Sequence, residues 1–510
     1  MIHTNADLTA DVDVSCDVCI IGSGAGGSVL AAGLVQRGLN VVMLEEGGHR
    51  TREDWKVLQE SISYPMLYQE QGTRATADLA ITVLQGRTVG GGTTVNWTTC
   101  FRTPARILEH WERVHGVVGL DEASLTPHWE AVEERLSIAP WREEWVNPNN
   151  RTLLEGARAL GWHNEILRRN VKGCASSGYC GFGCPIGAKQ AMHLTFLPDA
   201  LDGGMSLYAN TRAERIEHQG RRVTAVRASV LDDDNRPTGV AVVVRPKVLV
   251  SSAGAINGPA LLLRSELDFN GRVGKRTMLH PVVAVAALYD KRIDPWYGAP
   301  QSVTCHEFID RGPDRVGFFL EASPMHPMLG GTAFPVAGSD QAQFMRRLAH
   351  SANTIALSVD GLLPQDHGGT VSVRSDGRPK LDYPIGPWLQ ESFKAATVAM
   401  AKVQLAAGAN AVVTLHNEAV VVTSEADLPQ LEAAPWGALQ HTIFSAHQMG
   451  GCCMGDDPHS SVVDSTLRHH QVPNLFVVDG SALPTALGVN PSQSIYGLAH
   501  WAVEHVARAV

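Results

Sequence analysis

A mixed α/β fold is predicted by three features of this sequence: a glycine-closed strand–helix–strand pattern at the N-terminus, strand-like alternation through the middle, and a buried strand before a final helical run. Val14 to Ile21 is a compact apolar run whose only charge is Asp17, and it stops at glycines, so it reads as a buried strand. Val29, Leu30, Ala32, Leu34 and Val35 recur at helical spacing between Gly24 and Arg37, and Gly38 supplies the stop. Asn40 to Leu44 is a second strand, closed by Glu45-Glu46-Gly47-Gly48. The three together make a βαβ unit. Gly22, Gly24 and Gly27 occupy the positions of a dinucleotide fingerprint. The first permits the tight turn, the second lets backbone approach a pyrophosphate, and the third lets helix and strand pack closely. The helix start adds free N–H groups for the phosphates. An acid about 20 residues on hydrogen-bonds the ribose in such units. Glu45, at the strand end, is preferred for that place over its neighbour Glu46.

Further along, residues 54–79 are mixed and polar, and 86–96 form a glycine-dense loop. Arg106 to Leu136 is helical in pattern. Leu207 to Val230 and Val240 to Ser251 alternate like antiparallel strands joined by the polar turn 232–237, and 253–259 leads into a leucine-rich helix. From about His280 to Gln440 the alternation is strand-like, with one helical stretch near Leu389 to Ala407. Asn474 to Ser481 reads as a buried strand ending in the acidic turn at Asp479-Gly480, and Asn490-Pro491 precedes the last helix. No internal repeat or low-complexity tract interrupts this order. The expected division is 1–105, 201–280 and 445–510 for a nucleotide-binding domain, 106–200 for a helical and cysteine-rich lid region, and 281–444 for a substrate domain.

Composition narrows the function. At 510 residues, 44% hydrophobic and 18% charged, the chain is an ordinary globular protein. A net charge of −10 without a basic run argues against nucleic acid as a partner. No signal-peptide pattern opens the chain, and the apolar run Pro281 to Leu288 is strand-sized. No integral membrane segment is therefore expected. The expected location is cytoplasmic, with peripheral membrane contact left open. Nine cysteines in such a chain are expected to be reduced.

The fingerprint alone does not separate NAD from FAD. Further cofactor-like loops spread over the whole chain point to the larger flavin, and here a resemblance becomes specific. The sequence resembles the glucose–methanol–choline (GMC) flavoprotein oxidoreductases from end to end. Gly86-Arg87-Thr88-Val89-Gly90-Gly91-Gly92-Thr93-Thr94-Val95-Asn96 is similar to that family's first signature loop, and 254–263 to its second. His447 and Asn490 fall where the family places its catalytic pair, and Val477 to Ser481 with Pro484 and Pro491 resembles its closing cofactor segment. The resemblance implies a Rossmann-like FAD-binding domain and a second domain built on a mostly antiparallel sheet flanked by helices. It implies cofactor contacts at Arg87, Gly91, Thr93, Asn96, Ala213, Asp479, Gly480, Asn490 and Ser494, besides Gly22, Gly24, Gly27 and Glu45. Some members carry, before the signature asparagine, a histidine that binds FAD covalently. Val95 stands there, so non-covalent FAD is expected. The His–Asn pair and Gly91-Gly92-Thr93 look closest to the cholesterol-oxidase-like and long-chain-alcohol branches.

The implied reaction is oxidation of an alcohol to an aldehyde or ketone, with oxygen or a quinone-type compound accepting the electrons. Hydride leaves carbon only as the hydroxyl proton leaves, which calls for a base near neutral pH. His447 is expected as that base, and Asn490 as the group holding the substrate oxygen, although an asparagine before a helix also suits a cap. A hydroxynitrile lyase and a flavin photodecarboxylase on the same fold are the alternatives. Cys174, Cys180 and Cys184 could ligate an iron–sulfur cluster, or belong to a structural lid loop, which is preferred, so no metal is expected. Cys452 and Cys453 are expected to pack beside the catalytic turn.

Overall fold

The computed structural model describes residues 1–335 and 337–510. Among these, the N-terminal strand Val12–Ile21 lies at the centre of an eight-stranded sheet. It pairs in parallel with Val41–Leu44 on one side and Pro237–Ser251 on the other, and Leu475–Val477 pairs in parallel with the latter. The register aligns Ile21 with Leu44, Ile21 with Ser251, and Ser251 with Val477. Four strands from distant parts of the chain thus end together, and ligands of such sheets bind just beyond these C-terminal ends. Thr211–Gln219 and Arg222–Leu231 extend the sheet antiparallel.

The helix Ala25–Val35 is buried on nearly every side, so its apolar residues serve packing all round. Its start sits on the closing segment of the chain: a Cβ on Gly26 would lie 1.8 Å from the carbonyl oxygen of Val478. No side chain fits there. The last helix, Ser492–Ala507, packs against it, and Glu122–Arg135 packs on that helix in turn.

The second layer is a nine-stranded sheet. Along its path from Val421–Val422 through Ala411–Thr414, Val282–Leu288, Ser351–Ser358, Phe318–Ala322 and Val303–Cys305 to Asn164–Ile166, every pairing is antiparallel. The helices Pro387–Ala406 and Pro148–Leu160 pack on one another and on this sheet, as the antiparallel-sheet expectation required.

Three local readings change. The helical stretch 106–136 is two helices, Ala105–His115 and Glu122–Arg135, because Gly116 takes the left-handed conformation at φ +65° and ends the first. The alternation from 207 to 230 is broken at Asn210, φ +52°, and at Gly220, φ +58°, into three strands, Ser206–Tyr208, Thr211–Gln219 and Arg222–Leu231. The helices of 106–200 also part company. Glu122–Arg135 sides with the nucleotide-binding layer, while Pro148–Leu160 and the strand Asn164–Ile166 join the second sheet. No helix among the described residues is long and apolar enough to cross a membrane.

Candidate functional site

A cavity of about 870 Å³ runs between the strand ends of the first sheet and the face of the second. Gly22, Gly24 and Gly26 line one end with Glu45, Glu46, Arg87 and Ala213, and Gly91, Thr93, Val95 and Asn96 line its middle. His447, Gln448, Gly480 and Asn490 close the other end beside Trp97, Val282, Ile355, Leu357 and Phe444. The structure therefore gathers almost every expected residue around one cavity, from chain positions separated by more than four hundred residues.

At the glycine end, Gly22 has φ +103°, and a Cβ there would lie 2.2 Å from the carbonyl oxygen of Ser252. Gly27 does not line the cavity; it lets the helix approach the turn, since its Cβ would meet the Gly22 carbonyl oxygen at 2.0 Å. Glu45 accepts from Ser23 N at 2.9 Å, Ser23 Oγ at 2.6 Å and Gly47 N at 2.7 Å. Burial raises its carboxyl, and these donors pull against that rise. The Gly47 bond leaves Oε1 with acceptor capacity to spare, and Glu45 lines the cavity. Glu46, which also lines the cavity, is paired with Arg87, whose Nε lies 3.1 Å from it. Asp479 joins two loops: its Oδ1 accepts from Ser481 N and its Oδ2 from Gly254 N, each at 2.7 Å.

The first signature loop is held from behind. Lys189, 1% exposed, donates to the carbonyl oxygens of Thr94 at 2.5 Å, Asn96 at 3.0 Å and Cys180 at 2.7 Å. Burial lowers its ammonium to about 8. Asn96 lines the cavity, and its Oδ1 is buried without a partner. Thr93 is spent on the protein, donating to Gly90 O at 2.6 Å and accepting from Met192 N at 3.1 Å.

At the far end His447 Nε2 lies 3.4 Å from Asn490 Nδ2, and His447 Nδ1 lies 3.2 Å from His280 Nδ1. Burial lowers His447 to about 4 and His280 well below its usual value, so both rings are neutral at physiological pH. Asn490 makes no capping bond to the last helix; its Nδ2 donates to Glu321 Oε2 at 3.3 Å. The capping role is thus set aside by geometry. Glu321 is fully buried, accepts also from Gln301 Nε2 at 2.7 Å, and is pushed by burial up to about 8. Gln301 in turn accepts from Thr99 Oγ1 at 2.8 Å.

Sequence reasoning missed Glu321, His280 and Gln301. Glu321 sits in Phe318–Ala322, an otherwise apolar strand, and a lone acid there is the signal that could have found it. His280 carried no comparable mark. Besides Gly27, a second expected residue does not line the cavity. Ser494 is fully buried one turn into the last helix, where its Oγ bonds Thr103 Oγ1 at 2.7 Å, and it does not line the cavity. Helical geometry turns it away; Ser492 and Ile495 face the cavity instead.

Cys180 and Cys184 are buried and Cys174 half-buried, all as free thiols. No group of three His, Cys, Asp or Glu side chains among the described residues is placed to hold a metal ion. Their loop lies against the cavity wall, with Gly181 O accepting from Tyr68 OH at 2.7 Å. Cys452 and Cys453 are buried free thiols beside the Gly450-Gly451 turn.

Comparison with known proteins agrees with this arrangement. Models of the GMC oxidoreductase N-terminal and C-terminal regions match residues 64–282 and 364–499. An uncharacterized GMC-type oxidoreductase of Mycobacterium tuberculosis is 34% identical over 488 residues, covering 95% of this chain and 74% of the relative. A long-chain-alcohol oxidase of Arabidopsis thaliana is 29% identical, covering 98% of this chain and 69% of the relative. Among solved structures, pyridoxine 4-oxidase from Mesorbium loti superposes with a TM-score of 0.71 at 20% identity, covering 97% of this chain and 98% of that one.

Proposed function

Because the chain belongs to the GMC oxidoreductase family, we propose that it oxidises an alcohol to an aldehyde or ketone, with FAD held non-covalently in the cavity. The observation that carries this reading is the single cavity with the glycine fingerprint at one end and His447 beside Asn490 at the other. Bound there, FAD supplies the two-electron acceptor that receives hydride from the alcohol carbon.

The residues fit that group. The turn at Gly22 and Gly24 and the following helix start suit its pyrophosphate, and Glu45 its adenosine ribose, with Ala213 beside them. Gly91, Asn96 and Gly480 offer backbone and an unpartnered amide oxygen along the rest of its length. Val95 has no nucleophile with which to attach it.

His447 Nε2 and Asn490 Nδ2 are the two atoms that meet the alcohol oxygen. Beside them Trp97, Val282, Ile355, Leu357 and Phe444 form an apolar wall, which suits an alcohol of largely apolar character. The long-chain-alcohol oxidases among its relatives support the same substrate class. Oxygen or a quinone-type compound takes the electrons on, and the cytoplasm is the proposed location.

The test is anaerobic mixing of the FAD-loaded protein with primary and secondary alcohols of increasing apolar size, followed by oxygen or a quinone dye. Bleaching of the flavin by alcohols, and its return with one of the two acceptors, is expected. A flavin that stays oxidised with every alcohol would overturn the proposal.

A further inference from the structure

Two cations of this chain are buried where no acid answers them. Arg169, in the strand Arg168–Asn170, and Lys189, in the run Gly187-Ala188-Lys189 after the cysteine loop, are each 1% exposed. Lys189 donates to three carbonyl oxygens, those of Thr94, Asn96 and Cys180. A neutral amine has only two hydrogens to give, so three acceptors call for the charged ammonium. A guanidinium is charged by nature, yet Nε and Nη1 of Arg169 have no partner. Its Nη2 reaches Trp97 O at 3.4 Å and Cys180 Sγ at 3.8 Å, and its guanidinium carbon lies 4.7 Å from the centre of the Trp141 ring. Neither cation pairs with a carboxylate among the described residues; carbonyls, one thiol and one ring are their company.

Burying charge without a counter-charge works against folding. The Cys180 thiol does not supply one, since burial raises it and keeps it protonated. Both cations end on one short stretch, the carbonyls of residues 94, 96 and 97, and Val95, Asn96 and Trp97 of that stretch line the cavity. A trans peptide sets its N–H opposite its C=O, so drawing the carbonyls of Thr94 and Asn96 onto Lys189 leaves the N–H groups of Val95 and Trp97 pointing the other way. Charges and peptide dipoles therefore act with the same sign on that wall. Buried, they are little screened by salt or water.

We infer that Arg169 and Lys189 are positioning residues, an uncompensated cation pair behind the wall 95–97 that raises the reduction potential of the bound flavin by favouring the negative charge that hydride brings. The inference rests on the proposed binding of FAD in this cavity. With the adenosine at the glycine end, residues 95–97 border the stretch left for the hydride-accepting ring, on the way to His447. A hydride carries two electrons and one proton, so a neutral acceptor that receives it gains one negative charge. Burial keeps His447 and His280 neutral, so neither ring answers that charge. The pair behind the wall does, and it is in place before the charge arrives.

The test is the two-electron reduction potential of the bound flavin, measured against reference dyes with no alcohol present. In wild type the bound couple should lie above that of free FAD, and a value at or below it would overturn the inference. Arg169→Met removes one charge and keeps a stem over Trp141. At a fixed potential its ratio of reduced to oxidised flavin should fall at least tenfold, a drop of about 30 mV for a two-electron couple. Arg169→Lys keeps the charge and should restore most of that drop, which a packing role alone would not do. Arg113→Met, on the exposed side of the helix Ala105–His115, should leave the potential unmoved. No drop in Arg169→Met, an equal drop in Arg169→Lys, or a like drop in Arg113→Met would each overturn the inference. Cys180→Ala should also change nothing; a rise would reveal a thiolate balancing the pair and overturn its uncompensated character. The wild-type potential and Cys180→Ala still decide if Arg169→Met does not fold. A chain that binds no FAD would take the proposed function down as well, whereas flavin reduced by alcohols at a potential Arg169→Met leaves unmoved would overturn this inference alone.

Discussion

Glu321→Gln isolates one buried carboxyl beneath the catalytic pair. The structure shields Glu321 completely and gives its Oε1 no partner, so burial lifts the group from 4.5 to about 8. Between those values the folded chain holds a proton that the unfolded chain has released. Folding is then favoured fully at low pH, and the advantage is lost as pH climbs towards 8. A rise of that size corresponds to on the order of 5 kcal/mol across the window, or about 1.4 kcal/mol for each pH step. Glutamine keeps an acceptor for Gln301 and Asn490 but does not titrate. Urea unfolding of wild type and Glu321→Gln at a series of pH values from 5 to 8 reads the difference. The variant should gain on wild type steadily, by several kcal/mol at pH 8, and the two should converge near pH 5. Parallel curves across that range would refute the argument that this carboxyl is protonated in the folded protein.

Other consequences are equally open to measurement. Gly26→Ala places a methyl group 1.8 Å from the Val478 carbonyl oxygen, so the helix start must move off the closing strand; flavin content of the purified variant should fall well below that of wild type. Asn490→Ala removes the amide donor expected at the substrate oxygen and should slow flavin reduction, per flavin bound, by roughly 10²–10³-fold, as stopped-flow absorbance can read. Acid precipitation should release the flavin entirely into the supernatant, because Val95 offers no nucleophile; flavin retained on the precipitated chain would contradict non-covalent binding.

Much of the architecture was legible because each signal was local. The fingerprint glycines, the strand ending at Leu44 and the strand at Leu475–Val477 all declare themselves within a few residues. The antiparallel second sheet was legible as alternation, though its strand order was not, since pairing between Val282–Leu288 and Ser351–Ser358 depends on contacts seventy residues apart. Glycines at positive φ decided where two long periodic stretches broke, and periodicity alone does not report φ. In the site, motif residues were found and unmarked ones were not. Glu321 and His280 act through partners brought together only by folding: Asn490 lies 169 residues from the first, and Gly488 lies 208 from the second. That Ser494 turns from the cavity was not legible, because a position near the helix start does not say which face it takes.

The central claim, that an alcohol carbon gives hydride to FAD in this cavity, is tested most directly by anaerobic single turnover with an apolar primary alcohol and its counterpart deuterated at the carbinol carbon. The account predicts one aldehyde formed per flavin reduced, with the deuterated alcohol reducing the flavin several-fold more slowly. Flavin that stays oxidised while product or cyanide is released, or that is reduced at the same rate by both alcohols, would contradict it.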